Sequence, residues 1–217
     1  LAGVALADSL LIQWLRLGIL RFLPQSEAAP PLLLTVRNAW LAVALLLSLL
    51  VISAIMLPWV QLPPGLLIAG LLLFLAQGWF ELNLELIRSS LHPGRYGRLA
   101  LLRALLSLSL GALLAWQFQA VGLLSGLAAG TLLAYVLLRE GKEWRAGGRT
   151  MTFDRILLRR LLSYGLPLTI TLALSFIVNS SDRFLIGWFL GTDATGLYSA
   201  GYDLAQFSIT MLLTVVN

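Results

Sequence analysis

Apolar runs recur along the whole chain, and the connectors between them are alternately basic and free of charge. A helix that crosses the hydrocarbon core of a bilayer needs about 20 predominantly apolar residues, so the runs set the fold before any motif is considered. The spacing predicts seven spans, over Leu1–Leu15, Asn38–Pro58, Gly65–Ile87, Leu99–Phe118, Val121–Leu138, Leu161–Leu190 and Gly196–Asn217. The first is expected to be truncated. With 59% hydrophobic and only 12% charged residues, the chain cannot present a soluble domain's surface, since about a quarter of the residues of such domains are charged. The expected fold class is an all-α polytopic membrane protein, a helical bundle.

The cations give that bundle a direction. Arg16, Arg21 and Arg37 surround the first connector, and Arg88, Arg95, Arg98 and Arg103 the third. Arg139, Lys142, Arg145, Arg149, Arg155, Arg159 and Arg160 surround the fifth, whereas the connectors near Gln61, Gln119 and Thr192 carry no cation. Of the 15 Lys and Arg residues only Arg183 departs from this alternation. The positive-inside rule therefore places the basic connectors in the cytoplasm, the uncharged ones outside and the protein in the cytoplasmic (inner) membrane. Trp40, Tyr135 and Tyr164 near the inner ends, and Trp59, Trp116 and Trp188 near the outer ends, read as interfacial anchors. Gly122, Gly126 and Gly130 recur every fourth residue, a small-residue face suited to close helix packing.

The domain organisation follows from the longest connector. Residues 1–138 read as one set of helices, 139–160 as a basic cytoplasmic loop and 161–217 as the start of a second set. Anionic lipid explains the cations at its membrane ends better than nucleic acid does, so no nucleic-acid partner is expected. The chain starts at Leu1 and its last apolar run continues to Asn217, which reads as a piece of a longer protein. Without cysteine there is no disulfide, thiolate metal site or cysteine nucleophile, and the single His92 leaves little scope for histidine chemistry. No metal and no cofactor are expected.

Polar groups within the spans are the candidate functional residues, because an ionisable side chain at the centre of a spanning helix costs about 2.5–3.5 kcal/mol on the insertion scale. Glu81, Glu85 and Arg88 stand at i, i+4 and i+7 on one helical face. The two carboxylates can share a proton or, with Asn83, bind sodium, which would make an ion-coupling site. The plainer alternative is an interfacial ion pair between Arg88 and Glu85. Asp8 lies deep in the first span. Asp182 and Arg183 interrupt another apolar run beside Asn179, Ser180 and Ser181, which reads as a cavity wall. Snorkelling of Arg183 to the outer interface is the alternative.

The segment Asp182-Arg183-Phe184-Leu185-Ile186-Gly187, followed by Phe189-Leu190-Gly191 and by Gly196-Leu197-Tyr198-Ser199, resembles the polysaccharide flippases, the Wzx-like oligosaccharide exporters related to the multidrug and toxin exporters. Tyr164-Gly165-Leu166-Pro167 opens the same span, so the resemblance is sharpest over Leu161–Gln206. It implies two six-helix bundles facing each other across a cavity and rocking about a site between them. The chain would then hold most of the second to eighth helices of a 6+6 or larger transporter, with 139–160 as the inter-bundle loop. It implies a lipid-linked oligosaccharide as substrate, flipped across the membrane for cell-surface glycans such as lipopolysaccharide or exopolysaccharide. Arg183 would bind its anionic head group, Asp182 would hold that arginine, and Tyr198, Tyr202 and Asp203 would contact sugar hydroxyls. A multidrug exporter or a peptidoglycan lipid-precursor exporter is the alternative within the superfamily. A polysaccharide polymerase or ligase would need a larger outer loop than these connectors, whose only acid is Asp193, so no enzymatic activity is expected.

Overall fold

In hydrocarbon every backbone N–H and C=O must be satisfied within the protein, and an apolar run does this locally by closing into a helix. The computed structural model describes residues 2–24, 29–57, 63–137 and 154–216, with the backbone alone at 2, 29, 176, 179, 180, 192, 207 and 210–216. Its elements, in order, are α1 (Ala2–Leu11), α2 (Gln13–Phe22), α3 (Ala29–Met56), α4 (Pro64–Ser89), α5 (Pro93–Leu137), α6 (Arg155–Leu190) and α7 (Thr192–Val216). The described residues contain no strand. Four helices, α3, α4, α5 and the first part of α6, are long and apolar enough to cross a membrane, and α1 and α2, bent by 42° at Ile12, make a fifth span if taken together. The protein is an all-α polytopic membrane protein.

Most of the expected spans correspond to these helices, but α3 begins at Ala29, nine residues before Asn38, α6 begins at Arg155, six before Leu161, and α7 is not among the helices of the described residues that are long and apolar enough to cross. The first span continues to Phe22 through the bend, so Arg16 belongs to a helix rather than to a connector. The fourth and fifth expected spans are the two arms of α5, broken at Gln119, where φ 50° and ψ −129° leave the helical region. This falls at the expected connector near Gln119, between the spans that end at Phe118 and begin at Val121. The expected loop 139–160 lies outside the described residues as far as 153, as do Trp59, Gln61 and the Gly141, Gly147 and Gly148 of that loop. At its far end the Oδ1 of Asp154 accepts the backbone N–H groups of Ile156 at 2.9 Å and Leu157 at 3.2 Å, which caps the start of α6.

The chain divides into two compact units, Leu1–Ile170 and Thr171–Asn217. In the first, α4 is the central helix and packs on α1, α2, α3 and α5. Phe74, Leu82 and Leu86 of α4 join Ile12, Leu15, Ile19 and Val36 in one core cluster. Ala69, Leu73 and Ala76 meet Leu124 and Ala128, while Phe80, Leu84 and Ile87 meet Leu99 and Ala134. The outward face of α3, with Leu45, Leu46, Leu49, Leu50 and Ile52, is exposed, as expected of a lipid-facing surface.

The two arms of α5 pack as an antiparallel hairpin. A Cβ at Gly122 would lie 2.0 Å from the carbonyl oxygen of Leu114, one at Gly126 2.4 Å from that of Leu110, and one at Gly130 2.5 Å from the Cα of Ser107. Backbone therefore lies on backbone along the glycine face, the geometry that small residues allow and larger ones forbid. The hydroxyls of Ser107 and Thr131 stand 3.3 Å apart across the same seam. The expected packing role of these glycines is what the structure displays.

In the second unit the end of α6 turns directly into α7 at Gly191, whose φ of 87° suits a residue without a Cβ. The Thr195 hydroxyl and backbone N–H both donate to the Gly191 carbonyl, at 2.9 and 3.2 Å, and tie off the turn. The segment that carries the family resemblance is thus a helical hairpin with its tip at Gly191.

Candidate functional site

Ionisable side chains collect in two places, one in each unit. In the first unit every acid of the interior has its own arginine. Asp8 of α1, 7% exposed, accepts a bond of 2.5 Å from Nη2 of Arg16 in α2. The bend at Ile12 brings the two helices together there, and Gln13 Oε1 takes a second N–H of Arg16 at 3.3 Å. Glu81 of α4 is bonded to Nη1 of Arg103 in α5, and that guanidinium also lies 4.8 Å from the centre of the Phe80 ring. Glu85 has the loosest partner, Arg88, with 3.8 Å between Nη1 and Oε2.

These contacts change the expected roles. Glu81, Glu85 and Arg88 share a face of α4, yet Glu81 is engaged across the helix–helix interface, not with Glu85. Glu85 lies near Arg88, and its buried Oε2 has no hydrogen-bond partner among the described residues. The Asn83 amide donates to the Trp79 carbonyl at 2.6 Å. Arg16 and Arg103, counted above with the connector cations, serve the interior. Glu81 and Arg103 each lie about ten residues from the tight connector at Leu91–His92, which places them at the same depth on antiparallel neighbours. That register is the signal by which the sequence could have paired them.

The aromatic frame changes in the same way. Trp40 packs on Trp79 with ring centres 4.9 Å apart, and Trp79 meets Tyr135 edge-on at 6.4 Å. Trp40 and Tyr135 are therefore bundle contacts and not lipid anchors. Tyr164 packs edge-on against Phe22 at 5.7 Å and lies under Arg21 at 5.9 Å. Trp116 and Trp188 are almost fully exposed, as expected of anchors.

In the second unit α6 supplies Asp182 and Arg183, and α7 supplies Tyr198, Tyr202 and Asp203. Nη2 of Arg183 donates to Oδ1 of Asp203 at 2.5 Å, with the two side chains 36% and 51% exposed. The guanidinium lies 5.4 Å from the centre of the Tyr202 ring, and Tyr202 stacks on Tyr198 at 6.0 Å with an interplanar angle of 29°. The Tyr198 hydroxyl donates to Oδ2 of Asp182 at 3.3 Å. All five residues thus meet, but the pairing differs from the expectation, because Asp203 and not its sequence neighbour Asp182 holds the arginine. Neighbours on a helix point about 100° apart, whereas Asp203 comes from the facing helix. The side chain of Asn179, the remaining expected member, lies outside the described residues.

The direction of Arg183 bears on what it does. It stands eight residues before Gly191, while Asp203 stands twelve after it. At 1.5 Å per residue the arginine, about 12 Å from the hairpin tip, reaches towards a residue about 18 Å from it. Side chains on a helix lean towards its N-terminus, so on α6 this is the favoured direction. Arg183 accordingly points away from the tip, the opposite of snorkelling towards it. Beside the cluster, Ile186, Leu190, Ala194, Leu197 and Gly201 line an apolar groove of about 520 Å³ that Tyr198 and Tyr202 complete.

No curated protein and no solved structure matches the chain. A sequence model of one family matches residues 32–217, which takes in α4, α5, α6, α7 and nearly all of α3. The match covers the interior pairs Glu81–Arg103 and Glu85–Arg88 and the whole cluster around Arg183. The chain belongs to the polysaccharide biosynthesis protein family.

Proposed function

We propose that this membrane protein of polysaccharide biosynthesis flips lipid-linked oligosaccharide precursors across the cytoplasmic membrane, and that Arg183 binds their anionic head group. The observation that carries the reading is the direction of Arg183. A guanidinium that turns away from the hairpin tip, over an aromatic ring and beside an apolar groove, suits a ligand with a charged head and a hydrocarbon chain. Lipid-linked sugars have that chemistry. Tyr198 and Tyr202 offer ring faces and hydroxyls to the sugar. The alternating connectors support an orientation with the basic loops inside. Coupling to a proton or sodium gradient falls to Glu85, the less engaged of the two carboxylates on α4. The protein acts as a transporter and not as an enzyme.

Surface glycan export tests this reading in the intact protein, normalised to its amount in the isolated inner membrane. Losing a charge-assisted contact costs about 1.5–3 kcal/mol, so Arg183→Gln should lower export roughly tenfold to a hundredfold. Lys keeps the charge without the planar fork and should rescue in part, while Glu should be worst. Export at the normal level from Arg183→Gln would remove the arginine from the site, and a protein absent from the inner membrane would refute the localisation.

A further inference from the structure

We propose that Asp203 is an internal counter-anion, which occupies Arg183 when no ligand is bound and is displaced by the phosphate of an anionic lipid. The inference rests on the reading of Arg183 given above and adds the residue with which the ligand must compete. Its basis is geometric. Among the described residues, Arg183 holds Asp203 end-on, through Nη2 and a single carboxylate oxygen. A phosphate offers the guanidinium a forked pair of oxygens, which is the stronger geometry. Among the described residues both partners are accessible, at 36% and 51% exposure, and neither is sealed into a core cluster.

The surrounding contacts explain why the arginine stays in place during such an exchange. Tyr202 lies under the guanidinium and stacks on Tyr198. Tyr198 is in turn bonded to Asp182 of the opposite helix. This second link between α6 and α7 does not use Asp203, so the hairpin keeps one polar tie when the first is released. Tyr198 and Tyr202 also belong to the apolar groove, which puts room for a hydrocarbon chain next to the charge. The ligand class is therefore an amphiphile with a phosphate or diphosphate head. An empty arginine would attract any anion; one already paired admits only an anion that binds it better. Asp203 thereby sets a threshold, lowering the apparent affinity of every anion by the same factor so that weakly binding ones are held off.

Binding of farnesyl diphosphate to the purified intact protein in nanodiscs tests the exchange, with inorganic pyrophosphate and farnesol as the head-only and chain-only controls. Removing the competitor in Asp203→Asn should tighten farnesyl diphosphate binding about twofold to fivefold, the range that an accessible ion pair is worth. Thr195→Val, which cuts the side-chain tie at the hairpin turn, should leave the affinity unchanged. Farnesol should bind both proteins alike, and pyrophosphate should show the same tightening from a weaker starting point. Unchanged or weaker binding in Asp203→Asn overturns the proposal, as does equal tightening in Thr195→Val, which would mean that a looser hairpin is the cause. Should Asp203→Asn fail to fold, Asp203→Ser makes the same comparison, and failure of both would assign the pair a structural role and also overturn it. Arg183→Gln separates the two readings. Loss of binding in that variant without tightening in Asp203→Asn defeats the exchange alone, whereas normal binding in Arg183→Gln defeats the head-group reading itself.

Discussion

The interior pair Asp8–Arg16 and the hairpin pair Arg183–Asp203 have the same chemistry and the same 2.5 Å separation, yet they differ in how far they are enclosed. The side chains of the first are 7% and 12% exposed, those of the second 36% and 51%. A buried ion pair is hard to break because removing one partner strands a charge in a low dielectric, whereas an accessible pair can be relieved by water, head groups or another ligand. Identical residues thus make an enclosed strut in one unit and, on the proposal above, an exchangeable contact in the other. Glu81–Arg103, enclosed to an intermediate degree and backed by Phe80, belongs with the struts.

The largest effect should come from breaking the enclosed pair. Asp8→Asn leaves the Arg16 charge without its partner and should cost about 3–5 kcal/mol, read as a large fall in the unfolding temperature of the detergent-solubilised protein. Adding Arg16→Gln should restore much of the loss, because the stranded charge disappears with it. The hairpin pair should cost no more than about 1 kcal/mol when Asp203→Asn is measured in the same way. Equal losses from the two sites would erase the distinction between strut and exchangeable contact.

A second contrast concerns the two hairpins themselves. In α5 the arms touch through backbone, so the methyl group of Gly126→Ala must push the Leu110 carbonyl aside and should destabilise the protein by about 1–3 kcal/mol. In α7 a Cβ at Gly196 meets nothing within 4 Å, and Gly196→Ala should change stability by no more than about 0.5 kcal/mol, with helix propensity in its favour. A neutral Gly126→Ala would mean that the seam of α5 is looser than the structure has it.

A small effect on stability, under about 1 kcal/mol, is also expected for Glu85→Gln, which removes a charge 3.8 Å from an exposed arginine. Its effect should appear in function, as export that no longer responds to an imposed proton or sodium gradient. Glu81→Gln should show the reverse, a loss of stability with the gradient response retained, since its carboxylate joins α4 to α5. If neither variant alters the response, Glu85–Arg88 is an interfacial ion pair and coupling lies elsewhere.

How much of this was legible in the sequence depends on the range of the interaction. The helices, the turn near Gln119 and the glycine seam could be read because each is a local pattern with a fixed period or a single breaker. The residues around Arg183 could be named because they lie within one short segment on either side of Gly191. Their pairing could not. The sequence suggested Asp182 for Arg183 because the two are adjacent, but adjacency on a helix separates side chains, and the facing helix supplied Asp203 instead.

By itself, then, the sequence determined that the chain is a helical membrane protein, because a continuous apolar run of about 20 residues satisfies its own backbone hydrogen bonds in hydrocarbon by closing into a helix. It also determined which residues are out of place in that environment. Which charge meets which, and how deeply, was decided only by the tertiary structure. The bend at Ile12, the register about Leu91–His92 and the turn at Gly191 bring together groups 8, 22 and 20 residues apart. Neighbouring helices then enclose one pair and leave the other accessible among the described residues, and the cost of an unpaired charge depends on what surrounds it and not on its place in the chain.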